Sequence, residues 1–223
     1  HQLIKLDCRS LEYKLYPFDI KGYKIVLLDT NVAHALASLG VPNHCLGNFG
    51  APEIHPMFEQ IHPLSKLISL GPPAETNALE FDDGKLILSE VSPFQPIDWN
   101  YVQETVGFPK LVEYCQSAQF IALVDWCNLP LATNVWRGIG QELLPKLATS
   151  ARHFFFDLAD PTKKSQVAIE EVLKVIGSFT TFGTVTLGLN ENEARRLANT
   201  IELQTGKTAG SELTDVCSFI YEH

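Results

Sequence analysis

The chain has 223 residues, 45% of them hydrophobic, and 17 Lys and Arg against 26 Asp and Glu give a formal net charge of −9. That length and apolar content can bury a full α/β core as one domain with an appendage, and the acidic balance argues against nucleic acid or an anionic membrane surface as partner. No apolar run reaches the roughly 20 residues that span a bilayer, the N-terminus lacks a charged stretch followed by an apolar core, and five widely spaced cysteines without a CxxC pair read as reduced, cytoplasmic thiols.

In chain order, residues 3–16 and 23–29 have the apolar and β-branched content of strands, and the Pro, Asp and Gly of residues 17–22 suit the loop of a hairpin joining them. From Val32, NVAHALASLG carries apolar residues at helical spacing, with Gly40 where a helix stops. VPNHCLGNFG reads as a short strand with a Gly-rich turn, and HPMFEQIHPLSKL as a helix with a Pro start. ETNALEFDDGKLILSEV gives two runs flanking Asp83-Gly84, the strongest hairpin signal in the chain. Residues 98–117 are helical, divided at Gly107 and Pro109. FIALVDW is a buried strand that leaves Asp125 and Asn128 at its end, and WRGIGQELLPKLA is helical again.

The last third organises the rest. HFFF runs into the turn formed by Asp157, Asp160 and Pro161; a helical segment follows; then TVTLGL ends at Asn190, which opens directly into ENEARRLAN. Strand, helix, strand, helix favours a parallel sheet covered by helices. Chemistry collects beyond the carboxyl ends of such strands, where Asp157 and Asn190 both fall. Asn190 with Glu193 has the form of a capping box. The seven histidines give no metal pattern, and GxSxG, GxGxxG and GxxxxGK[ST] are absent.

On NVAHALASLG, the DDGK hairpin and VTLGLNENEA, occurring in that order, residues 31–219 resemble the PfkB family of ribokinase-like sugar and nucleoside kinases. The resemblance implies a ribokinase-like three-layer α/β sandwich with a mostly parallel central sheet and a small β lid, here the hairpin near residues 75–91. It implies ATP and Mg2+ as cofactors, and a small-molecule sugar or nucleoside as acceptor. Asn31 matches the family's sugar-contacting Asn, although Leu28, Asp29 and Thr30 stand where the family has glycines; an N-cap role fits it equally. Asn190 and Glu193 match the N-x-x-E motif that organises magnesium and nucleotide phosphates, Glu193 being the metal-side residue. Asp157 matches the first residue of an F-D-x-N-x-R segment on the acceptor side, with Ala159 in place of the Asn. Lys163 and Lys164 stand where positive charge would serve, or face solvent. A homodimer through the lid is expected by analogy alone.

Residues 6–32 resemble in wording a strand pair of galactokinases, without any of that family's phosphate-loop or catalytic residues. The chain is accordingly expected to divide into an N-terminal hairpin segment, 1–30, and a kinase core, 31–223. The G-A-G-D segment that supplies the PfkB anion hole and general base does not occur in these residues. Truncation, an omission of residues and a degenerate relative are the three readings of that, and the rival function is a non-catalytic sugar- or nucleotide-binding protein of the same fold.

Overall fold

The computed structural model describes residues 2–6, 13–17, 24–27, 30–61, 63–148 and 151–222. Its centre is a six-stranded sheet in the order β10-β9-β8-β3-β4-β5: β3 (Lys24–Leu27), β4 (Asn43–Gly47), β5 (Ser65–Ser69), β8 (Phe120–Leu123), β9 (Arg152–Asp157) and β10 (Gly183–Gly188). Every neighbouring pair is parallel. The chain steps from β3 to β4 to β5 in one direction, then returns to β8 and steps to β9 and β10 in the other. The order therefore reverses between β3 and β8, and ligands of open α/β sheets bind in the crevice at such a reversal.

Helices cover the sheet on both faces. Helix α1 (Thr30–Ser38) buries Ala33 and Ala37, and Ala33 packs on one face with Cys45, Ala122 and Val124. On the other face, α2 (Trp99–Val106), α3 (Phe108–Gln116), α4 (Ala132–Gly138) and α5 (Gln166–Ser178) enclose Leu46, Ile121, Leu123, Phe154 and Phe156. Strand residues alternate between these faces, as the period of two requires. Helix α6 (Glu191–Thr205) follows β10 and packs against α7 (Leu213–Glu222). This is the layered α/β arrangement with a parallel sheet that the family resemblance implies.

The elements end where their chemistry dictates. Gly40 closes α1 at φ 80°, and Gly107 separates α2 from α3 at φ 88°, conformations that a side chain would strain. Beyond Gly138 the α4 helix continues through one π turn, Ile139–Leu143, into a 3-10 turn, Leu144–Lys146, consistent with Pro145 lacking an amide donor. Arg152 at the start of β9 is buried and donates to the carbonyls of Ala148 and Gln116. It satisfies chain-end acceptors of the preceding loop and of α3.

Two expectations need correction. The strands at 3–16 and 23–29 do not pair with each other: β1 (Gln2–Leu6) and β2 (Tyr13–Pro17) form a separate antiparallel pair, while β3 enters the central sheet between β4 and β8. The continuous apolar run Ile25–Val26–Leu27–Leu28 is the pattern of a strand covered on both faces. Residues 7–12 and 18–23 lie outside the described residues. Second, HPMFEQIHPLSKL is not a helix but a 3-10 turn, Pro56–Phe58, capped by His55, followed by strand β5. Pro63 favours an extended residue before it and breaks the helical repeat; His62 lies outside the described residues.

The hairpin β6 (Glu75–Phe81) and β7 (Gly84–Glu90) forms where expected, but its turn is Asp82–Asp83, one residue before the Asp83-Gly84 signal, with Phe81 opposite Gly84 and Leu79 opposite Leu86. It forms its own two-stranded sheet. No helix among the described residues is long and apolar enough to cross a membrane.

Candidate active site

Five sequence-predicted residues fall along one edge of the sheet. Asp157 is the last residue of β9, paired in register with Gly188 of β10, and Asn190 lies two residues beyond Gly188. Asn31 is the second residue of α1, the helix that begins three residues after β3 ends; its side chain lies outside what the structure describes. Asp125 and Asn128, from the loop after β8, complete the row across the reversal point.

At the β10 end the capping box is complete. Asn190 Oδ1 accepts from the Glu193 amide at 3.0 Å, Glu193 Oε2 accepts from the Asn190 amide at 2.9 Å, and Asn190 Nδ2 donates to Glu193 Oε1 at 2.5 Å. Glu191 is engaged by the Arg195 guanidinium at 2.8 Å. Removing the cap with Asn190→Ala is expected to lower stability by about 1 kcal/mol, read as a shift in the midpoint of urea unfolding.

The neighbouring loops interlock. Asp157 Oδ1 accepts from the Ala159 amide at 2.7 Å, an Asx turn. Asn128 Nδ2 donates to Asp125 Oδ1 at 2.6 Å, and Lys163 Nζ donates to Asn128 Oδ1 at 3.4 Å. Lys164 donates to the Leu129 carbonyl at 3.3 Å and lies 5.3 Å from the Trp126 ring centroid; partial burial lowers its pKa. The turn Pro161–Lys163 packs against α6. Asp125 (φ 62°) and Ala159 (φ 55°) are both left-handed, a costly conformation for residues with a Cβ, and such strain gathers at functional sites. Cys127 is no nucleophile here, because burial pushes its thiol up to about 12.

Among the described residues no three His, Cys, Asp or Glu side chains gather as metal ligands. A magnesium ion held largely by phosphates and water needs no such cage. The Glu193 carboxylate fits that lesser demand: each oxygen makes one capping bond, and an ionised carboxylate has about four acceptor sites.

At the other end of the row, Asn48 follows β4 and was not singled out from the sequence. Nothing in its neighbours marks it, because its significance depends on Pro93, 45 residues away, to which it donates.

Residues 27–218 match the prokaryotic ketohexokinase family. A ketohexokinase of Haloferax volcanii is 28% identical over 169 residues, covering 76% of this chain, and the chain spans 45% of that relative's length. The crystal structure of a PfkB protein from Polaromonas sp. JS666 aligns with TM-score 0.46 at 10% identity, over 89% of this chain and 92% of that one. The match of the greater part of the chain, with its strand-end motifs in order, makes it a member of the prokaryotic ketohexokinase family, within the PfkB carbohydrate kinases.

Proposed function

We propose that the chain forms part of an ATP-dependent kinase that phosphorylates a hydroxyl of a ketohexose. The observation that carries this reading is the row of polar side chains along the carboxyl edge of one parallel sheet, divided by the reversal between β3 and β8. In it the acceptor sits on the β3–β5 side, near Asn31 and under the hairpin 75–91, with Asp157 across the crevice. The nucleotide sits on the β9–β10 side, against Asn190 and Glu193. Magnesium, when bound, neutralises phosphate charge as the phosphoryl group is transferred. Glu193 would receive hydrogen bonds from its waters, and Lys163 would add positive charge near the strand ends. The setting implied is cytoplasmic.

Glu193→Gln separates this role from capping. A neutral amide still accepts the bond from the Asn190 backbone but turns its NH2 toward Asn190 Nδ2 and loses that bond, so unfolding is expected to move by about 1 kcal/mol at most, while affinity for magnesium-ATP, measured by calorimetry, falls severalfold. Equal affinity in the two chains would leave Glu193 as a cap and nothing more.

The hairpin supports a homodimer. Residues directly opposite in register share a face, which puts Leu79, Phe81, Leu86 and Leu88 together; Phe81 is 61% exposed and Leu88 52%. An isolated two-stranded sheet is marginal in water, and a second copy's hairpin would cover this apolar face. Light scattering should show a dimer that Phe81→Glu together with Leu88→Glu converts to monomer; a wild-type monomer at all concentrations would refute it.

A further inference from the structure

Asn48 sits between the two roots of the hairpin. One root leaves β5 through Leu70 and Gly71; the other returns through the 3-10 turn Ser92–Phe94. The side chain is 7% exposed. Its Nδ2 donates to the Pro93 carbonyl at 3.0 Å, which fixes the orientation of the carboxamide, since the opposite rotamer would set two acceptors face to face. Its Oδ1 is sealed from solvent and, among the described residues, accepts no hydrogen bond. Buried side-chain oxygens are nearly always satisfied, and an exception asks for an explanation.

The surroundings are built and firm. Ser69 Oγ accepts from the amides of Phe49 (3.0 Å) and Gly71 (3.3 Å) and donates to the Gly71 carbonyl. Gly50 donates to that same carbonyl at 2.9 Å. The Tyr101 hydroxyl donates to Leu70 at 2.8 Å. Gly71 lies against the nitrogen side of the carboxamide: a Cβ there would stand 3.6 Å from Asn48 Nδ2 and 3.6 Å from the Tyr101 hydroxyl oxygen. Asn48 lies past the carboxyl end of β4, which is next in the sheet to β3.

We propose that Asn48 is a substrate-binding residue whose Oδ1 accepts a hydrogen bond from one hydroxyl of the acceptor sugar, while its Nδ2 holds the returning root of the hairpin at Pro93. An acceptor-only atom selects a group that donates, and a polyol hydroxyl is such a donor. Because the oxygen is sealed with the roots as they stand, a hydroxyl reaches it only as they part, so occupancy and hairpin position are linked through one side chain. The assignment rests on the ketohexose reading above.

The test is calorimetric titration of the chain, saturated with a non-hydrolysable ATP analogue, with fructose and each of its monodeoxy analogues. Asn48→Ala is expected to bind fructose about tenfold more weakly, the size of one neutral hydrogen bond, with affinity for the ATP analogue unchanged. One monodeoxy fructose should lose that same factor in wild type and nothing further in Asn48→Ala. Fructose affinity within twofold of wild type in Asn48→Ala, or a parallel loss of fructose and ATP analogue, would overturn the assignment alone. A wild-type chain that binds the ATP analogue but no fructose would overturn the ketohexose reading and this assignment with it.

Discussion

An ATP-consumption assay on residues 1–223, run with a panel of hexoses, pentoses and nucleosides, is expected to show turnover reduced by roughly 10²- to 10⁴-fold, the usual contribution of a positioned base. A sugar hydroxyl is a poor nucleophile at neutral pH. In the PfkB resemblance both the base and the anion-hole amides belong to a G-A-G-D segment, and none occurs in this stretch. Anion-hole donors commonly add on the order of 10²- to 10³-fold, but the two losses act on one transition state and do not multiply. The strand-end carboxylates present are already engaged: Asp157 closes its own Asx turn, and Asp125 accepts from Asn128. Robust turnover with any acceptor would show that one of them serves as base. Asp125→Asn, which preserves shape and removes the charge, would then identify it.

Much of the parallel sheet was legible because its strands are bounded by strong local signals. The run FIALVDW, the strand-to-helix switch at Asn190 and the break at Gly107 each need only neighbours in sequence. The capping box was legible for the same reason: Asn190 and Glu193 satisfy each other across three residues. What failed depended on distant partners. Lys24–Leu27 looks like the second arm of a hairpin until β4 and β8 are placed on either side of it. Met57, Phe58, Ile61 and Leu64 imitate a helical repeat, and tertiary pairing with β4 made the residues after them a strand. Helix α7 was not anticipated at all; its buried residues, Val216 and Phe219, join a cluster with Ala194, Ala198 and Ile201 of α6. Asn48 is the clearest case, since an orphaned oxygen is a property of the packed state.

Phe156→Ala is expected to lower stability by about 3–5 kcal/mol, out of the roughly 5–15 kcal/mol a typical domain possesses. Phe156 is fully buried. Its ring centroid lies 5.1 Å from that of Trp136 on α4 and 5.1 Å from that of Phe179, which follows α5, both edge-on. Phe179 in turn meets Phe154 at 5.2 Å. One ring thus joins the sheet to two helices, and deleting it removes apolar burial and leaves a void that aromatic neighbours on rigid elements cannot close. The effect reaches the site, because Phe156 directly precedes Asp157, and the loop beyond is tied to the β8 end by the bond from the Cys127 amide to the Leu158 carbonyl. Tyr221→Ala, at a position 92% exposed on α7, is the matched control, with a change within about 0.5 kcal/mol expected. Urea unfolding followed by tryptophan fluorescence reads both. Similar midpoints for Phe156→Ala and Tyr221→Ala would mean that the aromatic cluster does not hold β9 against its helices.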